Sequence, residues 1–126
     1  MRIGVILVCA VVVAACGSAP SGDEAAIRDT ISRYQAAVRA NDARTICTQL
    51  LGQEFRDAGK ASGVSCEKLW GDQIAKGGPK YKIVVQSVRI EGDRALVKTR
   101  SVESDGRTRY DKQPLTRVNG RWLLTK

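Results

Sequence analysis

The sequence predicts an α+β domain in which three N-terminal helices are followed by a four-stranded antiparallel meander. Two observations predict this class. Apolar residues recur at helical spacing up to residue 76, and from residue 81 onward they alternate as they do in strands. The breaker Gly77-Gly78-Pro79 separates the two halves. A run of helices followed by a run of strands is typical of α+β folds, in which helices pack on one sheet face.

The first helix is predicted to begin after Ser21 and to end near Ala40. Ser21 and Glu24 match the Ser-x-x-Glu capping box, whose side chains accept hydrogen bonds from free amides at a helix start. One apolar stripe follows at helical spacing, formed by Ile27, Ile31, Tyr34 and Val38. We expect this stripe to face the sheet.

Two shorter helices are predicted before the breaker. Asn41 or Asp42 can cap the second helix, which Gly52 is expected to weaken or end, although Phe55 can extend its apolar pattern. Its apolar stripe consists of Ile46, Cys47, Leu50 and Leu51. The third helix is predicted over Cys66–Lys76, with Ser65 as its cap.

The C-terminal half is predicted to form four consecutive strands. Their expected ranges are Tyr81–Ile90, Ala95–Val102, Thr108–Val118 and Arg121–Thr125. The apolar residues of the first strand change parity, so a bulge near Gln86 or Ser87 is needed to bring them to one face. Pro114 marks an edge or an irregularity. Asn119-Gly120 is a strong hairpin signal before the last strand.

Residues 1–15 have the features of an export signal. Arg2 supplies a positive start, an apolar run follows, and small residues precede Cys16. The run is shorter than the roughly 20 residues that span a bilayer. The tetrapeptide Val13-Ala14-Ala15-Cys16 resembles the lipobox of bacterial lipoproteins, in which the cysteine receives a diacylglyceryl group and becomes the first residue.

The lipobox resemblance implies an exported protein, anchored by a lipid on Cys16 to the cell membrane and facing outward or the periplasm. Residues 16–22 would then form the lipidated cysteine and a flexible tether, and residues 23–126 the folded domain. The alternative is an ordinary secretory signal in which Cys16 occurs by chance.

Cys47 and Cys66 are expected to form a disulfide. Cys9 lies within the signal and Cys16 is assigned to the lipid, which leaves an even pair in an oxidising compartment. The alternative is two buried free thiols. The sequence contains no histidine, so a zinc site on this pair is not expected, and we expect no metal and no cofactor.

The domain resembles the nuclear transport factor 2-like superfamily, which includes SnoaL-like and ketosteroid-isomerase-like proteins. The resemblance rests on the first-helix stripe, on Ala40-Asn41-Asp42-Ala43 and on the closing hairpin from Val118 to Leu124. It covers roughly residues 24–126. It implies a curved sheet wrapped around a long helix, with a conical pocket between them. The chain has little room for the short strand pair that many members place before the last helix, so a small pocket is expected.

The residues argue against catalysis. Absence of histidine excludes a Ser-His-Asp triad, a Cys-His dyad and the commonest general base. Enzymes of the resembled superfamily use an Asp with a His or a Tyr inside the cone, which leaves Tyr34 and Asp111 as candidates. The blander interpretation is that Tyr34 belongs to the core and that Asp111 pairs with neighbouring cations at the surface. We therefore expect no enzymatic activity.

Aromatic residues are the candidates for lining a pocket. They are Tyr34, Trp70, Tyr81, Tyr110 and Trp122. The alternative is that they fill the core of a domain that has few aromatics.

The positive charge of the chain, formally +8, is concentrated in its C-terminal half. Residues 76–126 contain 13 basic and 5 acidic residues, whereas residues 17–75 contain 7 and 8. Lys98 and Arg100 share one face of their strand, and Arg109 and Arg117 share one face of theirs. If the two faces coincide, the open side of the sheet is positive. Like charge opposes pairing of two copies through that side, so we expect a monomer.

Three functions remain. The leading hypothesis is a non-enzymatic, membrane-tethered domain that binds a small apolar ligand or an envelope component. The second is a basic module that docks on anionic envelope surfaces, although a basic face can also serve solubility alone. The third is a SnoaL-like lyase or isomerase that uses Asp and Tyr. Nucleic acid is not an expected partner of an exported protein.

Overall fold

The computed structural model describes residues 22–77, 82–103 and 105–126. The predicted signal, Cys16, the tether up to Ser21, and Tyr81 lie outside these residues. The helices are α1 (Gly22–Arg39), α2 (Ala43–Thr45), a π-helical turn (Ile46–Leu50), α3 (Gln53–Arg56), a 3-10 turn (Lys60–Ser62) and α4 (Cys66–Gly77). The strands are β1 (Lys82–Glu91), β2 (Arg94–Val102), β3 (Thr108–Val118) and β4 (Arg121–Leu124). The short α3 is not among the predicted helices.

The predicted stripe of α1 is the face that packs on the sheet. Ile27, Ile31 and Val38 are buried, and Tyr34 is half-buried against the same core. Acidic residues occupy the first turn and Arg39 the last, which suits the helix dipole. The long amphipathic helix therefore forms as its spacing predicts.

Asp42 starts the second helical segment. Its carboxylate accepts hydrogen bonds from the Thr45 amide at 2.9 Å and from the Thr45 hydroxyl at 2.7 Å. The α-helical turn then widens into the π-helical turn, which ends where Leu51 bridges Leu124 of β4. Gly52 donates to the Leu124 carbonyl at 2.7 Å, and a Cβ there would lie only 3.0 Å from that oxygen. The helical turn thus ends at Leu50, just before the predicted breaker Gly52, where the backbone approaches β4 closely.

The predicted disulfide between Cys47 and Cys66 is confirmed, and their Cα atoms are 6.0 Å apart. It links the π-helical turn to the first residue of α4. Ser65 caps α4, since its hydroxyl accepts from the Lys68 amide at 3.2 Å. The bridge therefore ties the π-helical turn covalently to the start of α4.

The sheet is a four-stranded antiparallel meander in the order β1-β2-β3-β4, which confirms the predicted fold class. The register of β1 shifts between Val85 and Ser87, where the bulge is predicted. Because of that shift, the apolar residues on both sides of the bulge pack on the core; they are Ile83, Val85, Val88 and Ile90. We call the helix-covered side of the sheet the inner face and the other side the outer face.

The hairpin between β3 and β4 turns at Asn119 and Gly120, as predicted. Both residues have positive φ, 49° and 75°, which the tight hairpin turn requires. Pro114 lies one residue before the β3–β4 pairing begins at Leu115, and its carbonyl accepts from the Thr125 amide at 3.1 Å. Proline has no amide to return this bond, and the Gln113 side chain donates to the Thr125 carbonyl instead, at 3.0 Å.

The hydrophobic core is built from residues between 27 and 124 and lies between the helices and the inner face. Its most deeply buried side chains are Ile27, Ile46, Leu50, Leu51, Val97 and Leu115. Within the described part of the chain, no helix has the length and apolarity needed to cross a membrane.

A polar network fixes the start of α1 to the sheet. Arg117 of β3 binds Asp23 of α1 at 3.1 Å and Asp93 of the β1–β2 turn at 2.8 Å. Its guanidinium also lies over the Trp122 ring at 5.4 Å, and the Trp122 indole donates to Asp23 at 3.1 Å. These hydrogen bonds and charges raise the pKa of Arg117, first through Asp93 and then through Asp23. The network orients α1 along the inner face.

Removing the disulfide should destabilise the fold. The two cysteines are 19 residues apart, and closing a loop of this size contributes about 3 kcal/mol, chiefly by restricting the unfolded chain. We expect the double variant Cys47→Ala/Cys66→Ala to lose about that free energy of unfolding in urea titrations. Reduction of the unmodified protein should give a similar loss. An unchanged denaturation midpoint in both cases would contradict this role.

Thr30 provides a buried hydrogen bond between α1 and β4. Its hydroxyl donates to the Trp122 carbonyl at 3.0 Å. We expect Thr30→Val to lower the free energy of unfolding by about 1–2 kcal/mol, because the carbonyl stays buried without this donor. Thr48→Val is the matched control, since the Thr48 hydroxyl donates to Arg44 at the surface. Equal losses in both variants would contradict the assignment.

The Asp42 cap makes stability depend on pH. Hydrogen bonds from the Thr45 hydroxyl and amide hold the pKa of Asp42 below its ordinary value of 3.8. A carboxyl group whose pKa is lower in the folded than in the unfolded protein stabilises the fold at pH values above its unfolded-state pKa. This stabilisation is lost as the pH falls through its folded-state pKa. We therefore expect Asp42→Ala to lower the melting temperature at neutral pH and the difference to shrink in acid.

The control for this cap is Asp42→Asn, which keeps an acceptor for the Thr45 amide but does not titrate. It should lose less than Asp42→Ala at neutral pH in thermal melts followed by circular dichroism. A gap between Asp42→Ala and the unmodified protein that stays constant down to strongly acid pH would contradict the prediction.

Candidate functional site

A cavity of about 320 Å³ lies between α1 and the inner face. We call it the inner cavity. Its apolar side is formed by Ile31, Tyr34, Ile83 and Leu124. Its polar side is formed by Thr99, Ser101, Glu103, Arg109, Asp111, Lys112 and Gln113. One wall can therefore contact an apolar body while the other offers hydrogen-bonding groups.

The polar wall is produced by the register of β2 and β3. Thr99 lies opposite Asp111, and Ser101 lies opposite Arg109. Thr99 and Ser101 are only 8% and 9% exposed, and both side chains border the inner cavity. Neither hydroxyl is a fully buried atom without a partner; in the described ranges those atoms are Arg56 Nε and Trp70 Nε1. The two hydroxyls are available to a bound molecule because they line the cavity.

Two further polar groups of the wall are held in place. Arg109 pairs with Glu103 at 3.0 Å, where the cavity meets the end of β2. The Gln113 amide donates to the Pro114 and Thr125 carbonyls at 2.8 and 3.0 Å, which leaves its side-chain oxygen as an acceptor. The wall thus offers both donors and acceptors from a rigid sheet.

The predicted pocket aromatics do not form one wall. Tyr34 lines the inner cavity, and Trp70 packs edge-on against it with ring centroids 6.4 Å apart. Trp122 of β4 is buried beside the start of α1. Tyr110 is 67% exposed on the outer face. Tyr81 lies outside the described residues. Of the aromatic residues assigned to the pocket, Tyr34 is thus the one placed on this cavity.

Two residues of the polar wall are candidates from the sequence, Arg109 for the basic face and Asp111 for an Asp/Tyr pair; the hydroxyl residues Thr99 and Ser101 are not. The sequence signal for them is the alternation that puts Val97, Thr99 and Ser101 on one parity of β2. Hydroxyls that continue a buried stripe into a sheet's inner face are candidates for a polar pocket. The partners of that stripe on β3 depend on register, which the sequence pattern does not show.

The predicted basic face is divided by the register of β2 and β3. Lys98 lies opposite Lys112 and Arg100 opposite Tyr110, so both cations are on the outer face. Arg109 and Arg117 have the opposite parity on β3 and lie on the inner side. Arg109 and Arg117 are also held in ion pairs with acidic residues. The four residues therefore form no single surface.

The outer face carries a different basic set. By register it presents Lys82, Arg89, Arg94, Lys98, Arg100, Lys112 and Arg121, with Glu91 as the acidic residue among them. Lys112 also borders the inner cavity at the free edge of β3. Arg89 pairs with Glu91 at 3.4 Å, and both side chains are largely exposed. The outer face is therefore strongly positive.

A second depression, of about 430 Å³, opens on the outer face. Arg89, Arg94 and Lys126 line it together with Glu54 and Glu91, around a floor of Leu96 and Pro114. Its walls are the ends of charged side chains, whereas the inner cavity lies between two packed layers. We therefore assign the candidate binding site to the inner cavity.

Metal chemistry has no support in the described ranges, where no three His, Cys, Asp or Glu side chains converge. Tyr34 and Asp111, the candidates for an Asp/Tyr arrangement, do border the same cavity. Asp111 is exposed at its edge. The arrangement can hold a molecule through hydrogen bonds and apolar contact.

Comparisons with solved structures agree with this architecture. A solved chain named Rd1NTF2_05, in a variant with five substitutions, matches with a TM-score of 0.52 and 16% identity, covering 81% of this chain and 94% of that one. A protein from Campylobacter jejuni, named as a nuclear transport factor 2-like transpeptidase, matches with a TM-score of 0.52 and 14% identity, covering 78% and 95%. The chain has the nuclear transport factor 2-like fold.

A de novo designed protein with a curved β-sheet also matches, with a TM-score of 0.50 and 16% identity over 78% of this chain and 92% of that one. No family model and no curated protein matches the chain. At these identities the nuclear transport factor 2-like fold is established by shape alone. The inner cavity occupies the space between the long helix and the curved sheet of this fold.

Proposed function

We propose that this chain is an exported, lipid-anchored protein whose domain binds a small molecule with an apolar body and a polar end in the inner cavity. The observation that carries the proposal is the pairing of an apolar wall with the Thr99 and Ser101 hydroxyls, which line the same cavity on side chains that are largely buried. A volume of about 320 Å³ falls at the lower end of ligand pockets, which span roughly 300–1,000 Å³.

Export and anchoring are supported by the sequence. A positive start, an apolar run and small residues before Cys16 are the parts of a cleaved signal. The Cys47–Cys66 disulfide suits an oxidising compartment outside the cytoplasm. A lipid on Cys16 would hold the domain at the membrane surface through a short tether.

The composition of the cavity favours an amphipathic ligand over a purely apolar one. Burying polar groups without partners is costly, so a hydrocarbon against Thr99 and Ser101 would leave both hydroxyls unsatisfied. A ligand that places its apolar part against Ile31 and Leu124 and its polar end against the β2–β3 wall satisfies both sides. Tyr34 lies on the helical side and can contact either part.

Catalysis is the second candidate, because Tyr34 and Asp111 both border the cavity. We rank it below binding because Asp111 lies at the exposed edge rather than deep in the cavity. In that position its carboxylate is suited to binding a donor group of the ligand.

The test is native mass spectrometry on the mature chain purified gently from its own host. We expect a discrete added mass on the unmodified protein and its loss in Ser101→Leu, because the larger side chain fills the cavity. Ser87→Leu is the matched control, since Ser87 is exposed on the outer face. It should keep the added mass.

Two outcomes would contradict the proposal. One is a bare mass that persists after incubation with a lipid and metabolite extract of the host. The other is an added mass that survives in Ser101→Leu while the variant retains the melting temperature of a folded protein.

A further inference from the structure

The outer face keeps two lysines directly opposite each other. Lys98 of β2 faces Lys112 of β3, and Ser87 of β1 lies on the other side of Lys98. Like charges at directly opposed positions destabilise a sheet. Within the described ranges, neither lysine takes part in an ion pair that would offset this repulsion. The two opposed lysines therefore do not stabilise the folded domain.

Cations elsewhere on the sheet form ion pairs with acidic residues. Arg107 and Arg109 bind Glu103, and Arg117 binds Asp23 and Asp93. Acidic partners are thus placed beside the cations of the inner side and of the loops. The strands of the outer face carry one acidic residue, Glu91, among seven cations, and Glu54 of α3 borders the depression on that face. A surface that serves solubility intersperses both signs, whereas a segregated positive field attracts an anionic partner.

Exposed apolar side chains lie on the same face. Tyr110 is 67% exposed and Val118 is 46% exposed, and both point outward by register. Tyrosine is favoured at the headgroup level of membranes, where its ring is half in contact with apolar chains and its hydroxyl with water. Cations interleaved with such side chains are typical of surfaces that bind at a lipid interface.

We propose that the outer face docks on a membrane surface rich in anionic phospholipid. Lys98, Arg100 and Lys112 would contact headgroup phosphates, and Tyr110 would enter the interface. Apart from Lys112, which borders both, this surface is separate from the polar wall that defines the ligand site, so the proposal goes beyond binding in the inner cavity.

A membrane fits this face better than a soluble anion does. The charges are spread over all four strands as an extended surface rather than converging on one point. Gly22 lies six residue steps after Cys16, and six steps of extended chain span at most about 22 Å. If Cys16 carries a lipid, as proposed above, the domain is held that close to the bilayer and weak headgroup contacts suffice. The outer face itself does not depend on the lipid.

The experiment uses vesicle flotation of the lipid-free chain beginning at Gly17, because the core lies between residues 27 and 124. Vesicles contain phosphatidylcholine alone or phosphatidylcholine with phosphatidylglycerol. We expect flotation with the anionic vesicles at low salt and its loss at high salt, since screening weakens the attraction.

The decisive variant is Lys98→Gln/Arg100→Gln, compared with Arg39→Gln/Arg44→Gln on the helices, which loses the same net charge. A cation near an anionic bilayer contributes roughly fivefold to partitioning. We therefore expect at least a tenfold weaker partition coefficient for the outer-face pair and less than about a twofold change for the helical pair. Loss of repulsion from Lys112 should leave the outer-face variant at least as stable in thermal melts, so weaker flotation would not reflect unfolding.

Four results would overturn the proposal. They are absence of flotation at low salt, flotation that ignores lipid charge, equal losses in the two double variants, and binding to a soluble acidic polymer without binding to vesicles. Ser101→Leu should float like the unmodified chain, so failure of the inner-cavity proposal and failure of this one remain distinguishable.

Discussion

The bulge in β1 between Val85 and Ser87 is the constraint on which the rest of the structure depends. Apolar side chains of β1 change parity at this point, and an unbroken strand would send half of them to the outer face. The extra residue keeps both halves on the inner face and bends the strand, as bulges do. The inner face thus gains a continuous apolar row along β1 against which α1 packs. Because of the same parity shift, fewer apolar side chains of β1 lie on the outer face, and charged residues occupy that face instead.

The inner cavity follows from the way the two layers end. Near Leu115 and Leu124 the sheet is closed by the approach of Gly52 to β4, which brings the π-helical turn onto the core. Toward the other end of β2, the buried stripe of Val97 is continued by hydroxyl side chains, which are too small to fill the space below α1. A domain of this size fills most of its interior with aliphatic side chains. Space that is left open and lined by Thr99 and Ser101 is therefore a feature of the sequence in β2.

Local rules account for most of the fold and for little of the site. Helical spacing, the Asn119-Gly120 turn, the position of the bulge and the cysteine pair are each encoded within a few residues, so the sequence predicts them. Which residues of β2 and β3 share a face is decided by the loop from 103 to 107. Five residues there place Val102 opposite Thr108, and a loop one residue shorter or longer would exchange every partner's parity. This is why Arg109 lies on the inner side while Lys98 and Arg100 lie on the outer face.

Because of this parity, the cations on the two sides of the sheet have different physical roles. On the inner side, Arg117 gains hydrogen bonds from two carboxylates and an aromatic face, and its charge stabilises the junction of α1, the β1–β2 turn and β4. On the outer face, Lys98 and Lys112 repel each other across neighbouring strands and have no such partners in the described ranges. A sheet whose sequence was shaped by stability alone would place an acidic residue or a threonine at one of these positions. The retained repulsion points to a partner outside the chain, and the opposite sign of charge is the property that such a partner must have.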